Sequence, residues 1–188
     1  MRIILGSQSP RRRELMAGLD IPFKTITIDA DEHYPSSLQG GDIPIYIACN
    51  KARAYARPLD SDELLITADT IVWLNGQVLG KPKDELDACR MLRMLSGQTH
   101  QVYTGVCFMT QQGIVAKFVD KTDVTFKSLT DDEITNYVAT YHPLDKAGAY
   151  GVQEWIGYVA VTQLSGSYFN VMGLPIHRVY ATLKELGY

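Results

Sequence analysis

The first thirteen residues leave the chain few alternatives. The apolar run Arg2-Ile3-Ile4-Leu5 passes straight into Gly6-Ser7-Gln8-Ser9-Pro10-Arg11-Arg12-Arg13. Pro10 has a fixed φ and no N–H to leave unpaired, which suits the first position of a helix, and Ser9 before it is a good N-cap. The pattern predicts a short buried strand, a tight turn and a helix start, in that order. Such a turn aims backbone N–H groups and the positive end of a helix dipole at one spot, a geometry that binds anions. The hydroxyls of Ser7 and Ser9 and the guanidinium groups of Arg11, Arg12 and Arg13 add donors there. A planar guanidinium matches phosphate oxygens, and a cluster of them suits a polyphosphate better than a single carboxylate. A merely solvated basic face leaves unexplained why positive charge stands where the helix dipole disfavours it.

The rest of the composition sets limits on this reading. With 188 residues and 46% hydrophobic content, the chain can bury a full core and is expected to form one α/β domain, two-lobed. A net charge of −3 and a pI near 5.8 argue against a general nucleic-acid coat, while locally concentrated cations fit a small anionic ligand. Cys49, Cys89 and Cys107 lie far apart in apolar patterns, as buried free thiols of a reducing cytoplasm would. No cysteine or histidine spacing suggests zinc. The amino-terminal apolar run is too short for a signal peptide, and no stretch is expected to span a membrane, so a cytoplasmic location is expected.

Periodicity alternates between strands and helices. Strands are predicted over Phe23–Ile28, Leu64–Ala68, Ile71–Leu74, Val78–Leu79, Gln101–Thr110, Ile114–Phe126 and Tyr158–Leu164. Asn75-Gly76 marks a hairpin, and Gln111-Gln112-Gly113 a second one. Helices are predicted over Asp42–Ala56, Asp84–Ser96 with Asp84 as cap, a segment opened by the capping box Thr130–Glu133 and ending before Pro143, and Leu174–Leu186. The acidic, glycine-rich stretch 29–41 reads as a mobile loop. Strands joined by both helices and hairpins imply a mixed sheet with helices packed on its faces. No repeat or linker interrupts the pattern.

Several side chains can do chemistry. Asp69 follows the doubly apolar run Leu64–Ala68 and is expected at the carboxyl end of a central strand. Ligands bind there in open α/β sheets, and the Ser7–Arg13 turn should lie nearby; an aspartate capping the next turn fits the periodicity equally well. Glu32 offers a second carboxylate on the loop. Two carboxylates beside phosphates commonly hold Mg²⁺, although an acidic loop taken alone is more often solvated. Lys51, among small residues, and Lys81, in Gly80-Lys81-Pro82, can reach phosphate oxygens as point charges, or be ordinary surface lysines. His100, after a helix stop, is given no catalytic role, and His33, His142 and His177 share no ligand spacing. Gln153, in Asp145-Lys146-Ala147-Gly148-Ala149-Tyr150-Gly151-Val152-Gln153, has one acceptor and two donors, enough to pair with the imide edge of uracil or thymine. Its amide can flip, so it selects a base only if its neighbours fix it. The segment Gly166–Pro175 reads as a loop into the last helix, a second pocket wall or only a well-made turn.

Taken in order, Ser7-x-Ser9-Pro10-Arg11-Arg12, Asp31-Glu32, Lys51-Ala52, Ala68-Asp69-Thr70, Gly80-Lys81-Pro82, Leu95-Ser96-Gly97-x-x-His100-x-Val102, Asp145-Lys146-Ala147-Gly148 and Gly173-Leu174-Pro175 resemble the Maf-like nucleotide pyrophosphatases over nearly the whole chain. Ala149–Gln153 is similar to the branch acting on dTTP and UTP, not to that acting on 7-methyl-GTP. Where that family often has glycine after the glutamine, this chain has Glu154-Trp155. The resemblance implies cleavage of a nucleoside triphosphate between its α- and β-phosphates, giving a monophosphate and pyrophosphate. It further implies a divalent cation (Mg²⁺ or Mn²⁺), an α/β fold of the Maf/ITPase type with a mixed β-sheet, two-lobed around a deep cleft, and a homodimer. By the same resemblance Asp69 is the general base. Arg12, Thr70 and Gln153 take specificity positions, Ser7, Arg11, Lys51 and Lys81 contact phosphates, and Glu32 faces the metal. Metal coordination would lower the basicity of Asp69, which favours Asp69 as base with Glu32 nearer the ion. The alternatives are a 7-methyl-GTP-type pyrophosphatase and a nucleotide-sensing regulator of cell division without turnover. Asp69 speaks against the sensor, since a pure binder gains little from a carboxylate beside a triphosphate. An RNA-binding module is disfavoured by the acidic pI and the lack of an aromatic-basic platform.

Overall fold

The opening strand β1 (Arg2–Gly6) is buried from Ile3 onward and has a parallel neighbour on each side in the sheet, β2 (Phe23–Ile26) and β3 (Glu63–Leu74). Burial on both faces is why it reads as an unbroken apolar run. The computed structural model describes residues 1–188. The remaining strands are β4 (Gln77–Leu79), β5 (Thr99–Thr110), β6 (Gly113–Phe126) and β7 (Val161–Ser165). They complete a seven-stranded mixed sheet in the order β2-β1-β3-β5-β6-β7, with β4 paired to β3. The α/β class and the mixed sheet thus agree with expectation. The chain divides into two compact units: Met1–Thr70, Thr104–Asp120 and Gly173–Tyr188 form the first, Ile71–Tyr103 and Lys121–Met172 the second. No helix is long and apolar enough to cross a membrane.

In the first unit, α1 (Pro10–Ala17) follows β1, and α2 (Asp42–Arg53) packs Ala48, Cys49 and Ala52 against Ile4, Leu65 and Cys107. The close approach depends on Gly105 in β5, where a Cβ would stand 2.5 Å from Ile45 Cα and Pro44 C in α2. Gly105→Ala is therefore expected to destabilise the protein by about 2–3 kcal/mol, the usual scale of overpacking, read as a shift of the denaturant midpoint. An unchanged midpoint would mean that the helix moves away freely. The unit closes with α7 (Ile176–Glu185).

In the second unit, β3 turns back through Asn75-Gly76, both at positive φ, into β4, as that dipeptide requires. The unit's helices are α3 (Glu85–Leu95), α4 (Asp131–Tyr141), α5 (Trp155–Ala160) and α6 (Tyr168–Met172). Asp84 caps α3 by accepting from Asp87 N at 2.8 Å, and the capping box of Thr130 and Glu133 opens α4. Three expectations need correction. The two strands predicted over 64–74 are one, because β3 changes partner from β1 to β4 without breaking. The strand predicted from Tyr158 starts only at Val161, since the preceding residues form α5. Part of the loop predicted over 166–175 is the short helix α6.

His100 is fully buried in β5, with its ring edge-on to Phe126 and Tyr150 and its Nε2 2.7 Å from the Tyr150 hydroxyl. Burial pushes the imidazole pKa down to about 4. Between the unfolded value of about 6.5 and that native value, the unfolded chain binds a proton that the native chain refuses. Stability from this group therefore falls as pH drops through that window, by roughly 3 kcal/mol in all. Urea unfolding at pH 7 and pH 4 should show the loss, and His100→Gln should flatten it. An equal slope in the variant would assign the loss to other groups.

Candidate active site

Gly6 pairs with Thr67, the last parallel step between β1 and β3. The chain leaves the sheet there as the turn into α1, while β3 continues through Ala68-Asp69-Thr70. Asp69 therefore sits in the middle of a strand and not at its carboxyl end. The strand that ends there is β1. Ser9 caps α1 by accepting from Arg12 N at 3.4 Å, and Ser7 Oγ accepts from Ser9 N at 3.2 Å. With Pro10 lacking an N–H, the turn spends more of its amides internally than expected. The Ser7 and Ser9 hydroxyls can still donate their hydrogens to an anion.

The three arginines do not act as one cluster. Successive helix residues point about 100° apart, so Arg13 is exposed, Arg11 half-buried, and Arg12 turned into the fold. Arg12 donates from Nε to Gly173 O at 2.7 Å, from Nη1 to Ala68 O at 2.9 Å and from Nη2 to Thr70 Oγ1 at 2.9 Å. Thr70 Oγ1 in turn lies 2.9 Å from Thr104 Oγ1. Gly173 presents its carbonyl at φ +115°, with its Cβ position only 3.7 Å from Arg12 Nε and Thr70 Oγ1. Burial lowers the Arg12 pKa and the nearby Asp69 charge opposes this, so the guanidinium stays charged. Arg12 and Thr70, both assigned to specificity positions, are thus joined directly.

Beside them stands a carboxylate–ammonium–carboxylate chain. Lys51 Nζ, projecting from α2, lies 2.8 Å from Asp69 Oδ1 and 2.8 Å from Glu32 Oε1. The Lys51 and Asp69 side chains are each 14% exposed, while Glu32 is 56% exposed on its loop. Burial raises the Asp69 pKa above the ordinary aspartate value, against the pull of Lys51 and Arg12. Burial thus raises the proton affinity of this carboxyl while two fixed cations favour its charged form, the opposition expected of a general base.

Ser7, Arg11, Arg12, Glu32, Lys51, Asp69 and Thr70 all belong to the first unit; Lys81 and Gln153 belong to the second. Lys81 is exposed, next to buried Pro82. Gln153 is half-buried, and its Oε1 is a buried acceptor with no hydrogen-bond partner. Sequence reasoning missed Gly173 O and Thr104 as partners of the Arg12–Thr70 pair. A positive-φ glycine ahead of Leu174-Pro175 was the available signal for the first; nothing local marks the second.

Comparison with known proteins gives these residues a setting. The family model described as "Maf-like protein" matches residues 2–186. The chain is 55% identical over 186 residues to the "dTTP/UTP pyrophosphatase" of Phocaeicola vulgatus, covering 98% of this chain and 96% of that one. It is 50% identical over 189 residues to the protein of the same name in Porphyromonas gingivalis, covering 99% and 94%. Among solved structures, the Ham1 protein of Staphylococcus aureus matches with a TM-score of 0.54 at 17% identity, covering 99% of this chain and 100% of that one. A HAM1 protein from Coxiella burnetii matches at 0.51 and 15%, covering 98% and 99%. These two likenesses bear on the fold alone. Together with the family match, the identities show that the chain belongs to the Maf-like proteins.

Proposed function

We propose that the chain hydrolyses dTTP and UTP to the nucleoside monophosphate and pyrophosphate. The observation that carries this reading is Asp69, a buried carboxylate with a raised pKa, held by Lys51 at the edge of the β1–α1 turn. In this reading Asp69 takes the proton from water as its oxygen attacks phosphorus, and the bridging P–O bond breaks to release pyrophosphate. Phosphoryl transfer asks for positioning and charge neutralisation more than covalent help, which suits a site rich in cations with no activated nucleophile. Ser7, Arg11, Lys51 and Lys81 would hold the phosphates, and Arg12 with Thr70 the substrate's placement. Gln153 would accept the N3–H of uracil or thymine at its otherwise unpartnered Oε1.

A divalent cation fits the donor set. Two carboxylates, Glu32 and Asp69, already converge on one cation, the Lys51 ammonium. Mg²⁺ asks for few protein ligands, because it completes its shell with water and substrate phosphates. Glu32 would be the principal protein ligand, leaving Asp69 its basicity; when bound, the ion would neutralise phosphate charge. A homodimer in the cytoplasm completes the proposal.

A pyrophosphate-release assay with Mg²⁺ or Mn²⁺ tests it across dTTP, UTP, CTP, GTP and 7-methyl-GTP. We expect dTTP and UTP to lead by about 10-fold or more, the scale on which one satisfied or frustrated hydrogen bond discriminates. Binding of dTTP without turnover would turn the protein into a sensor. A lead by 7-methyl-GTP would remove Gln153 from base recognition.

A further inference from the structure

Gln153 can read a base only if something holds it, and the second unit contains a clamp built around its neighbour. Residues Gly151-Val152-Gln153-Glu154 form a turn closed by Glu154 N donating to Gly151 O at 3.0 Å. Tyr137, fully buried on α4, accepts from Gly151 N at 3.1 Å and donates its own hydroxyl hydrogen to Glu154 Oε2. One hydroxyl thus joins the backbone at the start of the turn to the side chain at its end. The other oxygen of Glu154 lies 3.1 Å from Lys146 Nζ, which also donates to Asp145 Oδ1 at 2.7 Å. Lys146 is 8% exposed, so its charge is held in place and not solvated. The fit is tight: a Cβ on Gly151 would stand 2.9 Å from Glu154 Cδ and 3.1 Å from Lys146 Cε.

We propose that Glu154, fixed by Tyr137 and Lys146, is the positioning residue that sets Gln153 and thereby the preference for uracil and thymine. The inference rests on the pyrophosphatase reading above and names what determines the substrate within it. A turn pinned at both ends fixes the Gln153 Cα. Its buried Oε1 has no partner of its own, and a base that offers an N–H there completes it. Cytosine offers a ring nitrogen with a lone pair at the same place, which sets acceptor against acceptor. Preorganisation of this kind adds to discrimination because the wrong base leaves a buried polar atom unpaired.

The test is steady-state kinetics on Glu154→Gln and Tyr137→Phe with UTP, dTTP, CTP and GTP, on protein shown to be folded by its melting curve. We expect kcat/KM for UTP and dTTP to fall about 10-fold, while the values for CTP and GTP stay within about twofold, so that selectivity narrows. The double variant should be no worse than Tyr137→Phe alone, because the two groups act as one unit. Glu154→Gln preserves the Tyr137–Gly151 bond and decides the matter if Tyr137→Phe fails to fold. Equal losses on all four substrates, or unchanged selectivity in folded Glu154→Gln, would overturn the inference while leaving the pyrophosphatase reading intact. A wild-type protein without preference for UTP and dTTP would overturn both.

Discussion

Asp69→Asn is expected to reduce turnover by about 10³-fold or more, ~4 kcal/mol in the barrier, while nucleotide binding survives. The substitution keeps the shape of the side chain and its place in β3, so Lys51 still finds an oxygen acceptor there. What it removes is the proton affinity that burial has raised. It also takes a negative charge away from a site proposed to bind a triphosphate. Lys51 is then balanced by Glu32 alone and is freer to meet phosphate, so a non-hydrolysable UTP analogue should bind as tightly or more tightly in calorimetry. The wild-type pH profile carries the same signature. Asp69 acts only when ionised, so kcat/KM should fall as pH drops through its native pKa, on an acid limb lying above the ordinary aspartate value. Wild-type turnover in the variant would take Asp69 out of the chemistry.

Local structure was legible wherever a short-range signal determines it. Ser9-Pro10, Asn75-Gly76, Asp84 and the Thr130–Glu133 box each act within four residues, and each stands where its chemistry requires. The errors have a common cause in tertiary pairing. Asp69-Thr70 looked like the end of a strand because two polar residues interrupt an apolar run, yet β3 persists because β4 pairs with it from Val72 onward. Tyr158–Ala160, with an aromatic and a β-branched member, favours the start of a strand locally, but ends the helix α5 that follows the turn at Glu154. Lys51, Glu32 and Asp69 were found one by one as candidate site residues; their shared ion pairs were not. Spacing along a chain does not reveal that a loop carboxylate and a strand carboxylate meet at one ammonium.

The inward turn of Arg12 was the least legible feature and supports the second large prediction. Nothing in Arg11-Arg12-Arg13 singles out the middle residue. The choice is made by the Gly6–Thr67 register and by Gly173, a residue 161 positions away whose carbonyl receives Nε. Arg12→Ala leaves Ala68 O, Gly173 O and Thr70 Oγ1 without their charged donor, so we expect a stability loss of about 2–4 kcal/mol. It also withdraws a positive charge that lowers the Asp69 pKa, so the acid limb of the pH profile should move to higher pH. For turnover, KM should rise and kcat fall together, with kcat/KM down by about 10²-fold or more, because placement and charge both matter more in the transition state than in the ground state. Arg12→Lys separates the two contributions. Lysine restores the charge, but a single ammonium cannot span three acceptors on different segments. If the tie is what matters, Arg12→Lys should recover the pH profile of the wild type but little of its kcat/KM. Full recovery by lysine would reduce Arg12 to a point charge and strip the Gly173–Arg12–Thr70 arrangement of its role in catalysis.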